Sequence, residues 1–168
     1  ICDRAGISVG SFYHLFESKE AVTEELYRYQ SEDLAQRVYS DDPDEKIMAV
    51  LQDVLHISME KGVHFMKMAT VYETQHTPSI ARTRSDGQIF TSTTSELLIQ
   101  ALEQGRAMGR YRLTRPAWYY SDMMIFLFRS VLFFWQVSDG KFDAAATLKN
   151  YIETFMDLTL IHMTEPPS

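Results

Sequence analysis

Apolar residues recur along the whole chain at a spacing near 3.6, and this helical period constrains the fold more than any other feature. The stretch after Pro43 illustrates it, since its apolar positions fall on one side of a helix. These positions are Ile47, Val50, Leu51, Val54 and Leu55. No convincing alternation of the kind typical of strands is present. We therefore expect an all-α protein.

Capping residues and helix breakers divide this pattern into segments. Asp42 is a good N-cap and Pro43 suits the first position of a helix. The predicted helices are Ser8 to Leu15, Ser18 to about Tyr39, Pro43 to about Lys61, Val63 to Gln75, Pro78 to near Gly109 with room for a bend near Gly87, Pro116 to about Ser138, and Asp143 to about His162. The break at 40–43 predicts two domains, residues 1–39 and 40–168.

Cysteine content and hydropathy bear on the compartment. Cys2 is the one cysteine of the 168 residues, so the chain cannot hold an intramolecular disulfide framework. The most apolar stretch, 117–137, is interrupted by polar residues, and no signal peptide is visible. We expect a cytoplasmic protein with no membrane partner. Because the chain opens with Ile1 inside an apparent helix, we also expect a further segment before it.

The segment AGISVGSFYHLF, residues 5–16, predicts a helix-turn-helix. Gly6 can adopt the left-handed conformation that ends the first helix, and Ser8 can cap the second. Such a unit places the N-terminal part of its second helix in the major groove of DNA. The segment alone is too small to bury a core, so the helix that begins at Ser18 must join it to the rest of the protein.

These residues together resemble the DNA-binding signature of the TetR family of transcriptional regulators. The positions that carry the resemblance are Ile1, Ala5, Gly6, Ile7, Ser8, Gly10, Tyr13, Phe16, Lys19 and Glu20. The resemblance implies a helix-turn-helix domain, here lacking its first helix, followed by a C-terminal helical domain that binds a ligand and dimerises. It also implies a partner, double-stranded operator DNA, and a role as a ligand-released repressor.

The same resemblance assigns roles to single residues. It implies that Val9, Ser11 and His14 face base edges or nearby backbone. Tyr13 and Lys19 would touch phosphates, and Gly10 would allow close approach. The predicted DNA-binding residues are therefore Ser8, Val9, Gly10, Ser11, Tyr13, His14 and Lys19.

The net charge is −7, from 16 Lys and Arg against 23 Asp and Glu, which argues against broad electrostatic capture of DNA. A separate acidic domain can dominate this sum while one face stays basic. A second hypothesis therefore remains open, in which the chain is an all-helical dimeric interaction module without specific DNA binding.

Methionine and aromatic residues are abundant after Pro43, and an adaptable pocket for a small-molecule effector would suit them. The predicted ligand-binding residues are Met68, Tyr72, Phe90, Trp118, Asp122 and Phe126. For any single one of them, a place in the ordinary core is the alternative. Asp122 and Arg129 are charged within an apolar helix, and ligand binding, ion pairing and a subunit boundary all remain open for them.

The predicted helix from Pro116 has two apolar faces, so we expect one face to line the core or pocket and the other to meet the last helix and a second subunit. In the last helix the apolar residues form a seam. A homodimer built from paired helices of this kind is what the TetR resemblance implies. The predicted interface residues are Leu127, Val131, Phe134, Leu148, Ile152, Phe155 and Thr159.

No constellation in the sequence favours an enzyme. The five histidines show no metal-ligand spacing, Cys2 has no histidine near it in sequence, and no phosphate-binding glycine loop is present. We therefore expect a non-enzymatic protein without cofactor or metal.

Overall fold

The computed structural model describes residue 8 and residues 19–75 and 87–162. The elements are α1 (Lys19–Gln36), α2 (Pro43–Glu60), α3 (Val63–Gln75), α4 (Thr93–Ala107), β1 (Tyr111–Arg112), α5 (Ala117–Val137), α6 (Ala144–Thr159) and β2 (Ile161–His162). The described part is all-α apart from the two short strands, as predicted. Within these ranges no helix is long and apolar enough to cross a membrane.

Helix α2 begins as the sequence predicts. The Asp42 side chain accepts hydrogen bonds from the backbone amides of Asp44 (2.9 Å) and Glu45 (3.2 Å), and Pro43 fills the first turn. After Glu60 the chain turns at Gly62, whose φ of 84° is accessible to glycine at little cost. Helix α3 then covers Val63–Gln75, the predicted bounds.

The prediction that one helix crosses Gly87 is wrong. Helix α4 begins after Ser92, whose hydroxyl accepts a hydrogen bond from the Ser95 amide (3.3 Å), and Gly87 has a φ of 92°. Asp122 explains the break, because its carboxylate binds the backbone amides just before the helix and so uses them outside a helical ladder. The predicted start at Pro78 lies outside the described residues.

Helices α5 and α6 follow the predicted order with one difference in length. A turn with positive φ at Asp139 (53°) and Gly140 (75°) joins them, and Asp143 caps α6 through the Ala146 amide (2.9 Å). Helix α6 was predicted to reach His162, but it ends at Thr159. The chain there pairs antiparallel with β1, with Tyr111 opposite His162, so the segment after α6 is joined to the loop after α4.

The core lies between α2, α4, α5 and α6, and α4 packs against both α2 and α5. Fully buried side chains include Leu51, Leu55, Leu98, Leu102, Met124, Leu148 and Ile152. Helix α1 packs on α2 and α4, and α3 packs on α5. This leaves α1, α3 and α5 around a less filled region, where the candidate site lies.

The loop after α4 is fixed to the start of α2, and we call this contact the α2–β1 junction: Gly105, Arg110 and Tyr111 with Asp42 and Asp44. Arg110 pairs with both carboxylates, and the Tyr111 hydroxyl donates to Asp44. A Cβ on Gly105 would stand 2.1 Å from the Tyr111 ring, so only glycine fits beneath it.

Candidate functional site

A cavity of about 360 Å³ lies between α1, α2, α3, α5 and the segment that leads into α4. Five phenylalanine rings contribute to its wall: Phe90, Phe126, Phe128, Phe133 and Phe134. Phe90 and Phe126 meet edge to face with ring centroids 5.1 Å apart, which is a favourable aromatic geometry. Its volume falls in the range of small-molecule sites, about 300–1,000 Å³.

Polar groups of the cavity wall are paired across helices. Arg129 on α5 forms an ion pair with Glu73 on α3. Next to it, the Thr70 hydroxyl donates to the side-chain oxygen of Gln136 at 2.9 Å. These two contacts hold α3 to α5, and each offers polar atoms to a molecule in the cavity.

The C-terminal half of α1 forms one side of the cavity through Gln30, Ser31 and Leu34. Leu34 is buried, and Gln30 accepts a hydrogen bond from the ammonium of Lys61 at 3.0 Å. Burial lowers the pKa of Lys61, because the charged ammonium is partly withdrawn from water. A molecule in the cavity would therefore touch the same helix that leads back to the N-terminal segment.

An apolar stripe runs along the outer face of α5 at helical spacing. Its exposed side chains are Tyr119, Met123, Phe126, Phe133, Phe134 and Val137. On α6, Tyr151 and Leu158 are exposed in the same way, and Leu158 is 80 % exposed. Exposed large apolar residues that adjoin one another are typical of an interaction surface.

The predicted DNA-binding segment lies before α1. Residues 1–26 match the family model for bacterial regulatory proteins of the tetR family. This match supports a DNA-binding transcriptional regulator of the TetR family. Helix α1 begins within the matched residues, and its C-terminal half forms part of the cavity wall. A comparison with curated proteins gives no match to the chain.

Of the predicted DNA-binding residues, Ser8 is exposed and Lys19 is the first residue of α1. Val9, Gly10, Ser11, Tyr13 and His14 lie outside the described residues. Their roles remain predictions from the family signature.

Two of the predicted ligand-binding residues, Phe90 and Phe126, line the cavity. Met68, Tyr72 and Trp118 are not among its lining residues, and Met68 is 43 % exposed. Asp122 needs a correction of a different kind. It is buried, and it accepts hydrogen bonds from the backbone amides of Ile89 (2.8 Å) and Phe90 (3.3 Å), so it holds the segment that carries Phe90.

Sequence reasoning did not name Glu73 and Thr70 as cavity residues, and it assigned Phe134 to the dimer interface although Phe134 also lines the cavity. The spacing on α5 gave a partial signal for Arg129, for which ligand binding, ion pairing and a subunit boundary all stayed open. Its partner on α3 was hidden, because a glutamate on an amphipathic helix predicts only an exposed position.

The predicted dimer residues divide into two groups. Val131, Leu148 and Ile152 are buried within the protomer, so their assignment to a subunit interface is corrected: they fill its own core. Leu127, Phe155 and Thr159 are half-buried, and Phe134 is exposed. A helical period of 3.6 shows which residues share a face of a helix, but it does not show which face meets the core. This is why Val131, Leu148 and Ile152 were assigned to the dimer interface.

Within the described ranges, no three His, Cys, Asp or Glu side chains come together as metal ligands.

Proposed function

We propose that this protein is a homodimeric repressor that a small molecule releases from a palindromic operator. The observation that carries the proposal is the path of α1. It begins at Lys19, where the family signature predicts a phosphate contact, and its other end forms a wall of the aromatic cavity. A single helix therefore joins the two predicted sites. Such a protein acts in the cytoplasm, where bacterial DNA lies.

The effector would work by favouring a second position of α1. Any molecule that fills the cavity contacts Gln30, Ser31 or Leu34, while the operator requires the start of the same helix in one place. A coupling of about 1–3 kcal/mol would change DNA affinity roughly 5- to 150-fold, and DNA must weaken the effector by the same factor. This reciprocity distinguishes coupling from two independent sites.

The dimer is supported by the apolar stripe of α5 and the exposed Tyr151 and Leu158 of α6. Two such faces, brought together around a twofold axis, would place two recognition helices in successive major grooves about 34 Å apart. The operator would then be a near-palindrome, with Val9, Ser11 and His14 near base edges and Tyr13 and Lys19 on phosphates.

Selection from a random pool of duplex DNA at physiological salt tests the operator. We expect an enriched near-palindrome. Tyr13→Ala should weaken all sequences alike, whereas His14→Ala should change the preference at one base position. If the dimer is folded and nothing is enriched, the protein is the interaction module that its net charge of −7 left open.

The dimer surface is tested apart from the cavity, because Val137 and Leu158 are exposed and are not among the cavity's lining residues. Val137→Asp and Leu158→Asp should convert the dimer to monomer in sedimentation measurements. Val38→Asp is the matched control, since Val38 is 98 % exposed and follows α1, away from α5 and α6. Monomer formation in the control alone would place the interface elsewhere.

A further inference from the structure

Part of the cavity wall belongs to the exposed apolar stripe of α5. Phe126, Phe133 and Phe134 line the cavity, and they are 45 %, 48 % and 61 % exposed. Ser130 lies between them on the same face of α5, and it is also exposed and part of the lining. A side chain that borders both the cavity and water marks a place where the cavity meets the surface. The cavity therefore opens on the stripe.

The other elements around the cavity contribute buried side chains. Leu34 of α1, Val54 of α2 and Met66 of α3 line it and are all buried. The cavity is thus closed by α1, α2 and α3 and open at α5. A molecule bound there would leave apolar surface in contact with water at the open end, as the three exposed rings already do, and this is unfavourable.

A second copy of the chain fits this open face. In a twofold dimer both subunits use the same surface, so the stripe around one opening would face the stripe of the partner subunit. At about 150–250 Å² for a fully exposed aromatic side chain, the exposed apolar residues of α5 and α6 present roughly 800 Å². A standard interface buries about 800 Å² on each partner. These residues are Tyr119, Met123, Phe126, Phe133, Phe134, Val137, Tyr151 and Leu158.

We infer that the partner subunit completes the effector site, so that a molecule in the cavity contacts both subunits. This inference rests on the effector role and the homodimer proposed above, and it adds where the site lies. An effector placed in this way acts on the contact between the subunits as well as on α1. Because that contact sets the distance between the two recognition helices, both would move when the effector binds.

Binding of an apolar probe to dimer and monomer tests the inference. The double variant Tyr151→Asp with Leu158→Asp should be monomeric, and none of the described lining residues belongs to α6. The fluorescent probe N-phenyl-1-naphthylamine is titrated into both proteins. Each stretch of about 55 Å² of apolar probe surface that the partner covers is worth about tenfold in affinity. We therefore expect the monomer to bind the probe at least about tenfold more weakly than the dimer.

Val38→Asp is the matched control, since it adds the same charge at an exposed position away from α5 and α6. It should stay dimeric and bind the probe as the unmodified protein does. Circular dichroism and urea denaturation establish that each variant is folded.

A milder variant gives a second measurement, which stands even if the double variant does not fold. Leu158→Ala should weaken the dimer without adding a charge, so that monomer and dimer coexist in sedimentation equilibrium. Saturating probe should then lower the dimer dissociation constant about a hundredfold, because each of the two cavities contributes about tenfold. A ligand that binds monomer and dimer equally shifts nothing.

Equal affinity of the dimer and the folded monomer would overturn the inference, as would a dimer dissociation constant that the probe does not change. Both results would place the effector site within one protomer and leave the proposed function intact. A probe that binds neither form would remove the effector site, and an unmodified protein that sediments as a monomer would remove the dimer. These two outcomes contradict the proposed function and the inference together, while operator selection reports separately on DNA binding.

Discussion

The region between α2 and α4 is closely packed, whereas the region between α1, α3 and α5 is not. Between α2 and α4, Leu51, Leu98 and Leu102 are fully buried, and the α2–β1 junction closes the end of the seam. Between α1, α3 and α5 the same chain leaves a cavity of about 360 Å³. Close packing admits one arrangement of side chains, whereas a cavity leaves its lining atoms without partners on one side.

The ion pairs of the closely packed side and of the cavity side also differ in their surroundings. At the α2–β1 junction Arg110 bridges Asp42 and Asp44 in a half-exposed position, where it supports a helix start. On the cavity side, Arg129 and Glu73 face a space that a ligand can enter. The Arg110 ion pairs stabilise the fold, whereas the Arg129–Glu73 pair lies where a bound ligand can contact it. We infer that the α2–β1 junction side contributes mainly to stability, and that the cavity side is where a ligand would regulate the protein.

The largest effect is expected from shortening leucines on the two sides. Leu102→Ala, in the closed seam, should lower the free energy of unfolding by about 4–5 kcal/mol, because its neighbours cannot close the space. Leu132→Ala, at the cavity, should cost only about 2–3 kcal/mol, since part of its surroundings is already empty. Urea denaturation measures both. Equal costs would contradict the difference in packing.

A second, smaller effect tests the junction alone. Gly105→Ala brings a methyl group against the Tyr111 ring and should destabilise the protein by about 1–3 kcal/mol. Binding of an apolar fluorescent probe, N-phenyl-1-naphthylamine, to the cavity should not change, because neither residue lines it. The double variant with Tyr111→Ala is the control. If Gly105→Ala costs as much there as in the unmodified protein, the steric explanation is wrong.

Much of this architecture could be predicted from local signals. Asp42 and Asp143 cap helices where their position before apolar stretches predicts it, and the turn at Asp139–Gly140 has the expected positive φ values. The helix-turn-helix segment was predicted from residues close in sequence, and the family match over residues 1–26 confirms it. These features depend on neighbours within a few positions of the chain.

The features that could not be predicted depend on contacts between distant residues. The break before α4 depends on Asp122, which lies 32 residues beyond Phe90. The early end of α6 depends on pairing with Tyr111–Arg112, and the burial of Leu148 and Ile152 depends on which side of α6 meets the core. Glu73 lies 56 residues before Arg129. A helical period shows which residues share a face of a helix, but only tertiary packing decides which part of the protein that face contacts.

The smallest effect concerns Asp42, where a cap and an ion pair share one carboxylate. Hydrogen bonding by the Arg110 guanidinium, aided by the amides of Glu45 and Asp44, lowers the pKa of Asp42 below its ordinary value. A lowered pKa in the folded protein stabilises it above the unfolded pKa of about 3.9, and this stability is lost as the pH falls through the folded value. The contribution is therefore present at neutral pH and disappears in acid.

Asp42→Ala should cost about 1 kcal/mol at pH 7, and the difference from the unmodified protein should shrink below about pH 4. Asp42→Asn separates the two roles, because asparagine caps a helix as well as aspartate does but cannot pair with Arg110 as an anion. Its cost at pH 7 therefore measures the ion pair alone. Thermal unfolding between pH 3 and pH 7 follows both variants. Parallel pH profiles for all three proteins would mean that the lowered pKa of Asp42 does not contribute to the stability of the closed side.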